Sequence, residues 1–142
     1  MAAASPPVQA NLKEAVFEVL FESAPDGILV VSSKGQIAMV NSELERLFGY
    51  SRDELIGKPV ETLVPRKSRS NHKGFRQAFQ KQPKARPMGL GFTTLAGQRK
   101  DGSLFRVEIG LSPVKLPSGA GAIAIVRDMS QREMSLADQD LA

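Results

Sequence analysis

The chain contains no cysteine. That absence removes disulfides, thiolate metal sites and cysteine nucleophiles together. Histidine is nearly as scarce: His72 is the only one, so no His-x-x-x-His pair can hold a metal. No apolar run approaches the roughly 18 residues needed to span a bilayer. Residues 1–10 have no basic segment followed by an apolar stretch, so they do not read as a secretory signal. Their Ala, Ser and Pro content reads as a disordered lead. The expected location is cytoplasmic, with no membrane contact from this segment. No nucleophile sits beside a base and no phosphate loop is present, so the chain is not expected to be an enzyme.

Acidic residues are also missing from one long stretch. Between Thr62 and Lys100 there is none, while Arg66, Lys67, Arg69, Lys73, Arg76, Lys81, Lys84, Arg86, Arg99 and Lys100 all fall there. Such a segment can serve an anionic partner, but no helix-turn-helix, zinc-finger or RNP-like pattern accompanies it. The expectation is a solvated helix face and loop with no specific nucleic-acid partner.

The 142 residues, 42% apolar and 24% charged with a net charge of +4, suffice for one domain with a core. Residues 11–24 predict a flanking helix, with Leu12, Val16, Val19 and Leu20 at helical spacing and Phe17 and Phe21 widening the stripe. Pro25 ends it. So broad an apolar face needs a cover, either the sheet or a second copy. Gly27 to Val31 and Gln36 to Val40 predict a hairpin around Ser33-Lys34-Gly35. Two short helices follow, Ser42-x-x-Glu45 and Ser51-x-x-Glu54 both fitting a capping box. Glu43, Glu45, Asp53 and Glu54 then favour helix starts rather than catalysis.

Pro65 opens a longer helix to about Lys81, with Pro83 and Pro87 beyond it. His72, Phe75 and Phe79 are expected to share its inward face. Met88 to Leu95 reads as a strand. Asp101-Gly102 turns the chain into a strand where Phe105, Val107, Ile109 and Leu111 alternate with polar or small residues. Pro117-Ser118-Gly119 leads to a last strand, Ala120 to Val126. Residues 129–142 read as the start of a further helix. The predicted class is α+β, a five-stranded antiparallel sheet with helices on one face and flanking helices at both ends.

In order along the chain stand Ala24-Pro25-Asp26-Gly27-Ile28, Asn41, Leu47-Phe48-Gly49-Tyr50, Glu54-Leu55-Ile56-Gly57, Arg99-Lys100-Asp101-Gly102 and Arg127-Asp128-Met129-Ser130. This set resembles a PAS sensor domain, nearest to those of bacterial sensor histidine kinases, with a core over residues 25–128. The resemblance implies a regulatory module that couples a pocket ligand, or a change in dimer packing, to an output domain of the same chain. A homodimer through the flanking helices is implied as well. Arg127, Asp128 and Ser130 match the family's junction motif, from which a signalling helix would begin at 129–142.

The implied pocket lies between the sheet and the long helix, with His72, Phe75, Phe79, Met39, Leu90, Phe92, Ile109, Leu111, Ile123 and Ile125 as candidate lining. Its occupant is expected to be nothing or a small apolar ligand. The cysteine-adduct photochemistry of flavin PAS sensors is excluded, since the chain has no cysteine. The segment Pro65 to His72 also resembles the part of oxygen-sensing heme PAS domains that carries the axial histidine, which offers His72 as a heme-iron ligand. Phe92 and Ala78 stand where that branch carries arginines, and Arg86 falls near a second such contact. The alternatives are His72 as a core histidine hydrogen-bonded to a carbonyl or water, and a cofactor-free interaction and dimerisation module.

Overall fold

A computed structural model describes residues 8–81 and 95–130. Arg86, Leu90, Phe92, most of the expected Met88–Leu95 strand and residues 131–142 lie outside the described residues.

Helix α1 (Val8–Ser23) leads into strand β1 (Gly27–Val31) and strand β2 (Ile37–Val40). Helices α2 (Ser42–Phe48) and α3 (Arg52–Leu55), 3-10 turns at Val60–Leu63 and Arg66–Ser68, and helix α4 (Arg69–Lys81) follow. Strands β3 (Leu95–Gln98), β4 (Leu104–Leu116) and β5 (Gly119–Asp128) complete an antiparallel sheet of order β2-β1-β5-β4-β3. The five-stranded antiparallel α+β architecture is as the sequence predicts. The first and last strands of the core, β1 and β5, lie side by side at its centre.

Alternation divides the sheet into two faces. Leu29, Val31, Phe105, Val107, Ala124 and Val126 bury one face against Leu44, Leu47, Phe48, Leu55 and Leu63 of the helical side. Phe48 and Phe105 meet edge-on at 5.1 Å between centroids. Gly97 lies beneath that pair, where an added Cβ would stand 2.8 Å from the Phe48 ring.

One buried polar side chain organises the entry to this core. Asn41 is fully buried. Its Oδ1 accepts from the Ile28 and Leu44 backbone N–H groups at 2.9 and 3.0 Å. Its Nδ2 donates to the Phe21 and Asp26 carbonyls at 2.8 and 3.1 Å. Asn41, not Ser42, is therefore the N-cap of α2. The amide offers both donors and acceptors, so it can bond the end of α1 while capping α2. Ser42 instead donates to the Glu22 carboxylate at 2.5 Å, which lowers the pKa of that group. The second expected capping box, Ser51 with Glu54, is present.

Glu54 is held further by Lys100, 2.5 Å away, and these contacts lower its pKa to about 2. A depressed carboxylate pKa contributes stability above the unfolded value and loses it as pH falls through the folded one. NMR titration of the Glu54 carboxyl should give a midpoint near 2, moving up toward the ordinary glutamate value of 4.5 in Lys100→Met. Equal midpoints in the two proteins would show that the pair is not formed in solution.

Candidate functional site

Helix α4 carries the sole imidazole. Its inward face is formed by His72, Arg76 and Phe79, at i, i+4 and i+7. Phe79 is buried, as expected, but Phe75 is 71% exposed. The reason lies on the preceding 3-10 turn. Glu61 is only 3% exposed, and a buried carboxylate requires donors. Its Oε2 lies 2.6 Å from His72 Nδ1 and 3.3 Å from Arg76 Nε, and its Oε1 lies 3.3 Å from Arg76 Nη2. Turning Arg76 inward satisfies the carboxylate and leaves Phe75 at the surface.

This cluster also touches the β1–β2 turn. Gly35 has φ of +80°, and the Arg76 guanidinium lies so close that a Cβ there would come within 2.2 Å of it. Val60 N–H donates to the Gly35 carbonyl at 2.9 Å, so the turn bearing Glu61 is bonded to the same hairpin. An open cleft of about 200 Å³ beside the cluster is lined by Pro59, Glu61, Thr62, Arg69 and Lys73. Arg69 is fixed there by bonds to the Val64 and Thr62 carbonyls.

Strand register separates the apolar residues expected to line one pocket. Ile109 and Leu111 stand opposite Val126 and Ala124, and both pack against the core from the helical face. Ile125 and Ile123 stand opposite Ile28 and Val30, and Met39 also stands opposite Val30. Directly paired residues share a face. Met39, Ile123 and Ile125 therefore belong to the far side of the sheet and cannot line a pocket under α4. The apolar character of β5 misled because its smaller residues, Ala124 and Val126, are the buried ones.

At the end of β5, Arg127 bonds Asp26 in the turn before β1, at 3.2 and 3.3 Å. That hydrogen-bonded pairing raises the guanidinium pKa. Asp128 accepts from the Ser130 backbone N–H at 2.9 Å, and Met129 N–H donates to the Arg106 carbonyl at 2.9 Å. Asp128 and Ser130 are thus bonded to each other, while Arg127 is held by Asp26, a partner that spacing did not reveal. Glu61 was legible only indirectly, as the last acid before the acid-free stretch.

An axial heme ligand needs one imidazole nitrogen free with the other oriented. His72 fits that donor requirement: Nδ1 is held by Glu61, and Nε2 has no protein partner among the described residues. Ala78, at a position where the heme branch carries an arginine, is exposed.

This sheet, with its helices on one face and the end of β5 fastened to the turn before β1, defines a PAS fold. The model of the PAS fold matches residues 15–129, and the chain belongs to the PAS family. The chain is similar to the sensor protein FixL of Bradyrhizobium diazoefficiens, 26% identical over 125 residues, covering 88% of this chain and 25% of that one. It is also similar to the oxygen sensor protein DosP of Escherichia coli, 30% identical over 129 residues, covering 88% of this chain and 16% of that one. The chain thus spans a quarter or less of these curated relatives. Among solved structures, the PAS domain of an HTR-like protein from Haloarcula marismortui superposes with a TM-score of 0.70. It is 25% identical, and the match covers 84% of this chain and 94% of that one. The chain is a PAS domain of the kind found in sensory signalling proteins.

Proposed function

We propose that this domain is the cytoplasmic sensory module of a bacterial histidine kinase, without catalysis of its own, with α4 as its receiving wall. A change at α4 reaches an output domain of the same chain through the junction at Arg127, Asp128 and Ser130. The observation that carries this reading is a continuous bonded path. Glu61 holds α4, Val60 bonds the β1–β2 turn, β1 pairs with β5, and Arg127 at the end of β5 grips Asp26. Packed elements that share such bonds can bias one another across the domain. Ile109, Leu111 and Phe79 remain from the expected lining as residues able to contact a small apolar ligand.

Pairing with a second copy belongs to the same reading. Leu12, Val16, Phe17, Val19 and Leu20 of α1 are 47–65% exposed. Fully burying such a side chain contributes about 1.5–3 kcal/mol, so covering several favours association. Sedimentation velocity should show a dimer that becomes a monomer in the double variant Val16→Glu/Leu20→Glu. A wild-type chain that stays monomeric at high concentration would rule out pairing through α1.

A second reading is favoured by the His72–Glu61 contact: a heme sensor in which His72 Nε2 holds the iron and Glu61 orients the ring. Bound heme would supply an iron responsive to a diatomic gas or to redox state. Hemin added to the protein should give a histidine-ligated spectrum that is lost in His72→Ala. The same spectrum in both proteins, or none in either, ends this reading and leaves the cofactor-free module.

A further inference from the structure

We propose that the cleft between the 3-10 turn Val60–Leu63 and the start of α4 binds an oxyanion, the phosphate or carboxylate group of a small molecule, through Arg69, Lys73 and Thr62. The proposal concerns binding alone and stands or falls apart from any relay of signal through α4.

Charge balance sets this corner of the domain apart. Elsewhere Arg46 meets Glu43, Arg52 meets Glu22 and Glu45, Lys100 meets Glu54 and Arg127 meets Asp26. The carboxylate that lines the cleft, Glu61, is buried and already held by His72 and Arg76. Arg69 and Lys73 meet no carboxylate among the described residues. No further acid occurs along the chain until Asp101. Within α4 the row Arg69, Lys73, Gln77 and Lys81, spaced at i+4, is cationic with no acid in it. Like charges at that spacing repel, so the helix carries a cost that a bound anion removes.

Arg69 is oriented in advance. It is half-buried, and its Nε donates to the Val64 carbonyl at 3.0 Å and its Nη2 to the Thr62 carbonyl at 3.5 Å. A guanidinium has five N–H donors, so both hydrogens on Nη1 and one on Nη2 are unused by the described residues. Main-chain bonds fix this fork before any ligand arrives, which lowers the ordering cost of binding. Planar paired donors suit carboxylate and phosphate oxygens. Lys73, one turn on, adds an exposed ammonium, and Thr62 adds a hydroxyl that bonds no other described residue. The cleft, at about 200 Å³, suits a small molecule rather than a folded partner.

Amide NMR of the whole chain, titrated with sodium phosphate in exchange for sodium chloride at constant ionic strength, reads the site with screening held fixed. Saturable shifts are expected at Thr62, Arg69 and Lys73. Lys73→Met removes an exposed charge without touching the core. It should raise the half-saturating phosphate concentration about tenfold, as loss of one charge-assisted hydrogen bond implies. Lys115→Met, an exposed position on β4, should bind as wild type does.

Sodium acetate, titrated in the same way, assigns the class. Saturation by both anions supports any small oxyanion, by phosphate alone a phosphorylated ligand, and by acetate alone a carboxylate. Shifts that grow linearly with both anions, or that spread equally over Lys34, Lys58 and Lys115, overturn the proposal. Unchanged affinity in Lys73→Met overturns it as well.

Discussion

Replacing Asn41 by alanine should destabilise the domain by about 4 kcal/mol, read as a lower urea midpoint with an unchanged slope. Loss of the helix cap alone would cost about 1 kcal/mol. The larger figure arises because two N–H groups and two carbonyls lose their partner together, at a position with no access to water. Asn41→Asp separates the contributions. It keeps the acceptor toward Ile28 and Leu44 but turns a carboxylate oxygen toward the Phe21 and Asp26 carbonyls. That repulsion raises the pKa of the introduced acid. The variant should therefore lie below wild type at neutral pH and recover part of the difference in acid, where it can donate a proton. A loss of 1 kcal/mol or less in Asn41→Ala would show that Asn41 only caps α2.

Gly121→Val should cost about 3 kcal/mol, for a different reason. A Cβ at Gly121 would stand 2.4 Å from the Val31 carbonyl oxygen and 2.7 Å from Leu116 Cδ1. Leu116 can move aside, but the Val31 carbonyl belongs to the β1 backbone. Relief requires the pairing of β1 and β5 to open at that end. Hydrogen exchange should therefore quicken at the β1 and β5 amides around Val31 and Ala122, which stand opposite one another. Gly57→Ala is the useful contrast. Unlike Gly121 it has positive φ, +87°, and its added Cβ meets nothing within 4 Å, so only the backbone penalty of about 1–2 kcal/mol applies. A Gly121→Val protein as stable as wild type would mean that the two central strands are not packed this closely.

Much of the fold was legible because its punctuation is local. Gly35, Gly49 and Gly102 all adopt positive φ, each at a turn or helix end that the sequence marked. The alternation of Phe105, Val107, Ile109 and Leu111 assigned those residues to one face correctly, since a half-buried strand exposes its period directly. β5 lies centrally, with apolar residues on both faces, so alternation could not say which set faces the helices. Only pairing with β1 and β4 shows that Ala124 and Val126 point to the core and that Ile123 and Ile125 point away. Helix α4 failed in the same manner. Phe75 and Arg76 straddle the face defined by His72, and hydrophobicity favoured the phenylalanine. The outcome was decided by Glu61, a residue from another element whose burial no local pattern records. The site was thus readable as a lone imidazole on a helix, while the groups that orient it required tertiary structure.

Signal transfer through this domain depends on mechanical continuity between α4 and the end of β5. Backbone amide NMR of wild type and His72→Ala tests this most directly, since the substitution removes one arm of the Glu61 cluster without touching the sheet. Resolved shift changes are expected at Arg127, Asp128 and Ser130 as well as along α4 and the β1–β2 turn. Changes limited to α4 and the turn bearing Glu61, with the three junction amides unmoved, would contradict it.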